Sequence, residues 1–456
     1  MGKTKTHFVC GECGFESPQW LGKCPACESW NSLAERSAAE SSLPFEPVGT
    51  LSDEDRARVL ALDKISLDEV QRFSSGFAEL DRLLGGGFLP QTSILLAGEP
   101  GIGKSTLALQ VACAVARAGS RVLYVAAEES VHQVKERAVR IGAQHENLFL
   151  VGDIRATRIP LYVDELDPRL VIVDSIQAVL DERLPQLPGT LAQVRESGLA
   201  LVRMAREKRL ALVLVGHITK EGQIAGPKAL EHLVDVVFQF EGDTLEAHRM
   251  IRSAKNRHGA TGEVAVFEMK SDGLGEVRNP SQVFFDPQDS AQAGRATGAH
   301  VDGSRAFLFE MQALVVPSSF ETPARRATGV SASRAALFLA VIEKSLGLPF
   351  GKLDVFLKTS GGLEVREPGC DLPLVAAILS SARKVPLPPR VLWVGEVGLG
   401  GEVRRVRNLE SRLREAERLG IERAVVPGDT PARSGSRLKI QPTRSLEDVY
   451  RQFFRS

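Results

Sequence analysis

The run Ile94-Leu95-Leu96-Ala97-Gly98-Glu99-Pro100-Gly101-Ile102-Gly103-Lys104-Ser105-Thr106-Leu107 constrains this chain more than any other stretch. It reads as an apolar strand, a loop of the form G-x-x-x-x-G-K-S and a helix that continues through Leu109, Gln110 and Val111. Gly98, Gly101 and Gly103 let the loop turn tightly with its N–H groups aimed at phosphate oxygens, and the helix offers its positive end to the same charge. Gly98, Glu99, Pro100, Gly101, Ile102, Gly103, Lys104, Ser105 and Thr106 are therefore expected to hold ATP, with Lys104 on the β- and γ-phosphates and the Ser105 hydroxyl on Mg²⁺.

Two later strands carry acids at their carboxyl ends, where ligands of open parallel sheets sit. Arg121 to Glu129 ends in Glu128-Glu129, and Glu128 is favoured as the group that orients or deprotonates water. The alternative is that both acids merely begin the helix from Val131 to Ile141. Leu170-Val171-Ile172-Val173-Asp174-Ser175 has the form of a Walker B segment, with Asp174 on Mg²⁺ through water. A strand from Leu210 to Val215 leads into Gly216-His217-Ile218-Thr219-Lys220-Glu221-Gly222, and His217, Thr219 and Lys220 suit a γ-phosphate sensor that signals to a polymer-binding loop. The bland reading there is a capped turn with a satisfied histidine. Lys255-Asn256-Arg257-His258-Gly259 is either a solvated hairpin tip or a basic tip that reaches a neighbour's triphosphate or a nucleic-acid phosphate.

Four of the six cysteines fall in the first 27 residues, as Cys10-x2-Cys13 and Cys24-x2-Cys27. Two thiolates on each of two knuckles suit one tetrahedral Zn²⁺, with no position left for substrate water, so the site is expected to be structural. The 456 residues carry no net charge, so no global field recruits nucleic acid and any basic surface must be local. The chain shows neither the apolar core of a signal peptide nor a membrane-length run, so a soluble, cytoplasmic protein is expected.

Taken in order, the ribbon cysteines, Gly98 to Thr106, Glu128, Asp174, Gly216 to Gly222 and Lys255 to Gly259 resemble the bacterial RadA (Sms) family of DNA repair proteins. The resemblance implies an α/β chain with a C4 zinc ribbon (1–34), a RecA-like P-loop ATPase with a mostly parallel central sheet (56–288) and an α+β Lon-protease-like domain (304–456). A Ser-, Ala-, Glu- and Pro-rich stretch from about Glu35 to Leu51 and a turn to Ala, Gly, Gln and Asp near Ser290 to Gly303 read as the linkers between them, 35–55 and 289–303. It also implies a homo-hexamer that moves on single-stranded and branched DNA and drives branch migration, with RecA recombinase and a replicative helicase as partners. Glu128 becomes the catalytic carboxylate. Lys255 and Arg257, within the family's K-N-R-F-G signature, act on ATP across the subunit interface, and His258 stands where the family has Phe. Glu367 to Leu372 and Gly395 to Val403 resemble the proteolytic domain of Lon, with Gly369 at the serine position and Arg412 at the lysine position. Neither can do that work, and no positioned histidine is expected beside Cys370. Arg404, Arg405, Arg407, Arg412, Arg414, Arg418 and Arg423 either contact DNA backbone or pair with Glu410, Glu415, Glu417 and Glu422. Two competing functions remain, an ATP-dependent protease and a regulatory ATPase without translocation.

Overall fold

The computed structural model describes residues 6–10, 15–25, 30–37, 71–217, 230–242, 248–285, 292–303, 305–431 and 437–455. Cys13, Cys27, Thr219 and Lys220 lie outside the described residues. The chain divides into two compact units: Met1–Gln239 with Lys255–His258 and Ser271–Gly273, and Phe240–Ala254 with Gly259–Lys270 and Leu274–Ser456.

The first unit begins with a three-stranded antiparallel sheet in which β1 (Thr6–Cys10) lies between β2 (Glu16–Ser17) and β3 (Leu33–Ser37). Its small core is Cys10, Cys24 and Leu33, with Phe8, Phe15 and Leu21 packed against them. Trp20 and Trp30 stay 53% and 73% exposed, so this piece lacks the aromatic filling that a chain so short needs, and a metal cross-link suits it. Strand β3 runs to Ser37, past the expected end of the ribbon at 34.

The main sheet of this unit is built from β4 (Ser93–Gly98), β5 (Val122–Ala126), β6 (Leu148–Val151), β7 (Leu170–Asp174) and β8 (Ala211–His217), all parallel in the order β4-β8-β7-β5-β6. Strands β4, β5 and β7 are buried at every position, and β8 at all but its last, as continuous apolar runs are when helices cover both faces. The helices Lys104–Arg117 and Leu191–Glu207 bury Leu107, Val111 and Val115, and Val194, Leu201 and Val202 respectively. Register then fixes the site. Gly98 is opposite His217, Asp174 opposite Val215 and Ala126 opposite Asp174, so the residues that end these strands share one edge of the sheet.

Strand β9 (Val236–Glu241) follows, and then β10 (His248–Asn256), β11 (Val264–Lys270) and β12 (Gly273–Glu276). Strands β10 and β11 pair antiparallel.

The second unit holds a seven-stranded mixed sheet. In chain order its strands are β13 (Arg295–Asp302), β14 (Arg305–Pro317), β15 (Arg325–Thr328), β16 (Leu353–Thr359), β17 (Val391–Trp393), β20 (Arg423–Pro427) and β21 (Lys439–Thr443). A separate two-stranded ribbon pairs β18 (Glu396–Val397) with β19 (Val403–Arg404). The helix Asp371–Arg383 is buried from Asp371 through Ser381, so it is apolar on all sides rather than along one stripe. Ser331 caps the helix Ala332–Leu346, and Gly347, at φ 65°, ends it in the left-handed conformation.

One boundary differs from expectation. Residues 289–303, read as a linker for their Ala, Gly and Gln content, contain β13, paired with β14 over eight residues. Small side chains there reflect close packing: a Cβ on Gly298 would lie 2.5 Å from the Phe309 ring and 3.0 Å from Pro373. No described helix is long and apolar enough to cross a membrane.

Candidate active site

The phosphate loop leaves β4 at Gly98 and enters its helix at Gly103, whose φ of 117° only glycine adopts readily. Lys104 is 3% exposed, and its ammonium donates to the carbonyl oxygens of Gly98 (2.9 Å) and Glu99 (2.8 Å) and contacts His217 Nδ1 (3.2 Å). Burial lowers the Lys104 pKa to about 8, against the opposing pull of the Asp174, Glu128 and Glu99 carboxylates. Ser105 and Thr106 occupy the first turn of the same helix, half-buried.

The structure separates the two acids that end β5. Glu129 binds Arg137 at 2.5 Å and so belongs to the helix Val131–Arg140, whose cap is Ser130 in a reciprocal box with Gln133. Glu128 instead faces the loop, with Oε2 2.8 Å from His217 Nε2 and its side chain half exposed. Desolvation pushes its pKa up, but the neighbouring His217 and Ser175 side chains and the Lys104 charge outweigh this and hold it below the ordinary carboxylate value. Backbone N–H groups of Ala127 and Glu128 both donate to Asp174 O (2.8 and 3.1 Å), which ties the two acidic strand ends together. Asp174 is 7% exposed, and its Oδ2 accepts from the buried Tyr124 hydroxyl at 2.6 Å. Tyr124 was not legible as a site residue, because on an apolar strand it reads as core.

Lys255 and Arg257 lie at a different place from the phosphate loop's own contacts. Lys255 Nζ donates to Glu231 O (2.6 Å) and Val234 O (2.8 Å). Arg257 donates to Asp235 Oδ1 (3.3 Å) while 55% of its side chain remains exposed. Asp235 is itself fixed by the backbone N–H and hydroxyl of Ser93 (3.0 and 2.7 Å) and by Arg206. Asn256 reaches Leu83 O (2.8 Å) and receives the His258 N–H (2.9 Å), so it braces the turn. The His258 ring contacts Thr92 Oγ1 at 3.2 Å, and burial lowers its pKa, which favours the neutral ring at pH 7. Neither cation is an unconstrained hairpin tip. Gly259 follows directly, in a bend that starts the return to β11.

The rubredoxin metal binding domain family matches residues 8–35, and the AAA domain family matches residues 56–223. The DNA repair protein RadA of Aquifex aeolicus is 43% identical over 455 residues, covering 100% of both chains. RadA of Halalkalibacterium halodurans is 42% identical over 430 residues, covering 94% of this chain and 93% of that one. RadA of Escherichia coli K12 is 41% identical over 453 residues, covering 98% of each. The chain belongs to the RadA family of DNA repair proteins.

As a RadA-family chain it is an α/β, RecA-like ATPase with an N-terminal metal-binding ribbon. Cys10 and Cys24, the two described cysteines of the C4 set, are both buried in the ribbon core, which fits a thiolate-bound metal.

The surroundings of Gly369 and Arg412 are filled rather than open. A Cβ on Gly369 would lie 3.0–3.1 Å from Cζ, Nη1 and Nη2 of the Arg412 guanidinium, so the two positions are neighbours in space. Arg412 is 1% exposed; its Nη1 donates to Glu367 Oε1 at 2.8 Å, and its fork also reaches Glu367 Oε2 and Ala299 O. Contrary to expectation a histidine does stand beside Cys370, because β13 brings His300 to within 3.2 Å of Glu367 Oε1. His300, Glu367 and Cys370 stand close enough to hold a cation among them, and the Arg412 guanidinium already binds Glu367. Burial pushes the Cys370 thiol well above its ordinary pKa, so it makes a poor nucleophile.

The helix Leu409–Arg418 also decides most of the arginine question in favour of pairing. Arg414 binds Glu410 (3.2 Å) and Arg418 binds Glu415 (2.7 Å), while Arg404 pairs with Glu402 and Arg405 with Asp429. Arg412, being buried, leaves the set of DNA-contact candidates.

Proposed function

We propose that this RadA-family ATPase is a motor of recombinational repair that binds single-stranded and branched DNA as a homo-hexamer and uses ATP hydrolysis to drive branch migration, in concert with RecA recombinase and a replicative helicase. The observation that carries the reading is Arg257. Asp235 steadies it through one N–H while more than half of the side chain faces outward, so the guanidinium can still take a phosphate oxygen from a neighbouring protomer.

In this reading the loop N–H groups and Lys104 bind the β- and γ-phosphates, and Ser105 with Asp174 holds Mg²⁺. Held there, Mg²⁺ would supply charge neutralisation to the triphosphate. Glu128 orients the attacking water and accepts its proton. Arg257 and Lys255 of the next protomer stabilise charge that develops on the transferring group, which makes turnover depend on assembly. Lys255 is seated on the carbonyls of Glu231 and Val234. Cys10, Cys13, Cys24 and Cys27 hold Zn²⁺ as a structural cross-link. A protease reading is disfavoured by the glycine and guanidinium that stand in the Ser and Lys places.

ATP turnover with and without single-stranded DNA, alongside particle sizing with nucleotide bound, tests the proposal. DNA should stimulate hydrolysis by a hexamer, and Arg257→Ala should bind nucleotide yet turn it over at least about tenfold more slowly. Full turnover by separated protomers, indifferent to DNA, would overturn it.

A further inference from the structure

Lys104 and Glu128 are joined through a single imidazole. His217 ends β8 directly opposite Gly98 of β4, so its ring lies over the start of the phosphate loop. On one side Nδ1 is 3.2 Å from Lys104 Nζ, and on the other Nε2 is 2.8 Å from Glu128 Oε2. An ammonium has three N–H donors and no lone pair, so Nδ1 must accept. The proton of the neutral ring then sits on Nε2 and donates to Glu128. Cation, ring and carboxylate form one directional chain in which each bond polarises the next in the same sense.

The other two Lys104 protons go to Gly98 O and Glu99 O. All three are therefore assigned, and an ammonium that grips phosphate must give up at least one partner. The two carbonyls belong to the loop that would wrap the phosphates. His217 belongs to another strand, and is the partner that phosphate replaces. When Lys104 leaves Nδ1, the ring loses the charge that polarises Nε2–H, and the carboxylate at the far end is held less tightly.

We propose that His217 is a positioning residue for ATP turnover that makes the alignment of Glu128 follow the position of Lys104. The proposal rests on Glu128 as the group that handles water. It goes further in assigning the ring as a mechanical link between the phosphate grip and the base, in place of a group that touches phosphate itself. Around Glu128 the charged and polar groups are Lys104, His217 and Ser175. The His217 contact at 2.8 Å is the directed bond on Glu128 Oε2, so removing the ring frees the carboxylate to turn.

Three variants of the full chain, each assayed for nucleotide affinity and for kcat against pH, test this. His217→Ala should bind a fluorescent ATP analogue as tightly as wild type or more tightly, since Lys104 has one fewer partner to leave. Its kcat should fall about tenfold or more, part of what a positioned base contributes. Its acid limb should move to higher pH, because a carboxylate that loses a donor to its charged form becomes more basic. His217→Gln, whose amide oxygen can accept from Lys104 while its N–H donates to Glu128, should recover most of both. Wild-type kcat with an unmoved acid limb in His217→Ala would overturn the proposal, as would equal impairment of the Ala and Gln variants or loss of nucleotide affinity in His217→Ala. Glu128→Gln separates the two levels: wild-type turnover there would overturn the reading of Glu128 itself, whatever the His217 variants do.

Discussion

Replacing Arg412 by methionine removes the guanidinium from a buried cluster and leaves its carboxylate partner behind. Two routes give the size of the effect. Breaking a buried ion pair from one side destabilises by about 3–5 kcal/mol. Separately, burial alone would raise the Glu367 pKa, yet its bonds to His300 and Arg412 hold it down to about 2 from an ordinary 4.5. At 1.36 kcal/mol per unit that depression corresponds to roughly 3 kcal/mol, shared between the two partners. The side chain is 22% exposed, so solvent screens only part of it. Because the folded pKa lies below the unfolded one, this stability is complete above about pH 4.5 and is lost as pH falls toward 2. A convenient probe is built in. Trp393 is 1% exposed and packs edge-on against Phe453, whereas Trp20 and Trp30 are already exposed, so a red shift of tryptophan emission in urea follows the second unit. Arg412→Met should lower the unfolding free energy of that unit by on the order of 3 kcal/mol and its melting temperature by on the order of 10 °C, with a shallower acid limb. Glu367→Gln added to Arg412→Met removes both charges and should recover more than half of the loss. Unfolding of Arg412→Met within about 1 kcal/mol of wild type, with the same acid limb, would refute this role for the ion pair.

Lys104→Ala should abolish nucleotide binding in a filter assay, and ordinary ATPase activity in that variant would end the phosphate-loop argument. Tyr124→Phe deletes a buried donor to Asp174 and should destabilise the first unit by about 1.5–3 kcal/mol while raising the Mg²⁺ concentration needed for half-maximal turnover; unchanged melting and Mg²⁺ dependence would show the bond to be incidental. Cys10→Ser combined with Cys24→Ser should release zinc from the purified protein, measured by a chelating dye, and full retention of the metal would reject the ribbon as its site.

Much of the nucleotide site is legible in the sequence because its chemistry is local. The loop from Gly98 to Thr106 carries its own turns, its cation and its helix start within nine consecutive residues, and Asp174 is marked by the apolar strand before it. The choice between Glu128 and Glu129 is of another kind. It depends on how the chain leaves β5, and only the Arg137 pair and the Ser130 cap show that Glu129 belongs to the next helix. Tyr124 and His217 become partners of Asp174 and Glu128 through strand order, which no local pattern encodes. The strand at Arg295–Asp302 is hidden for a similar reason: Ala296, Gly298 and Ala299 look like linker composition until Phe309 and Pro373 are seen to need the room. His300 rides on that strand, so its place beside Cys370 is hidden with it.

The contact between position 369 and the Arg412 fork bears on how this chain could change over generations. A serine at 369 would push its Cβ to about 3 Å from a guanidinium that Glu367 holds in place, so that step alone is crowded and gains no base. A lysine at 412 alone would forfeit the two-pronged grip on Glu367 and gain no nucleophile. Each single substitution toward a Ser–Lys pair therefore loses packing or ion-pair stability before the second group is in place. Position 369 and position 412 can therefore exchange their present residues for that pair only together.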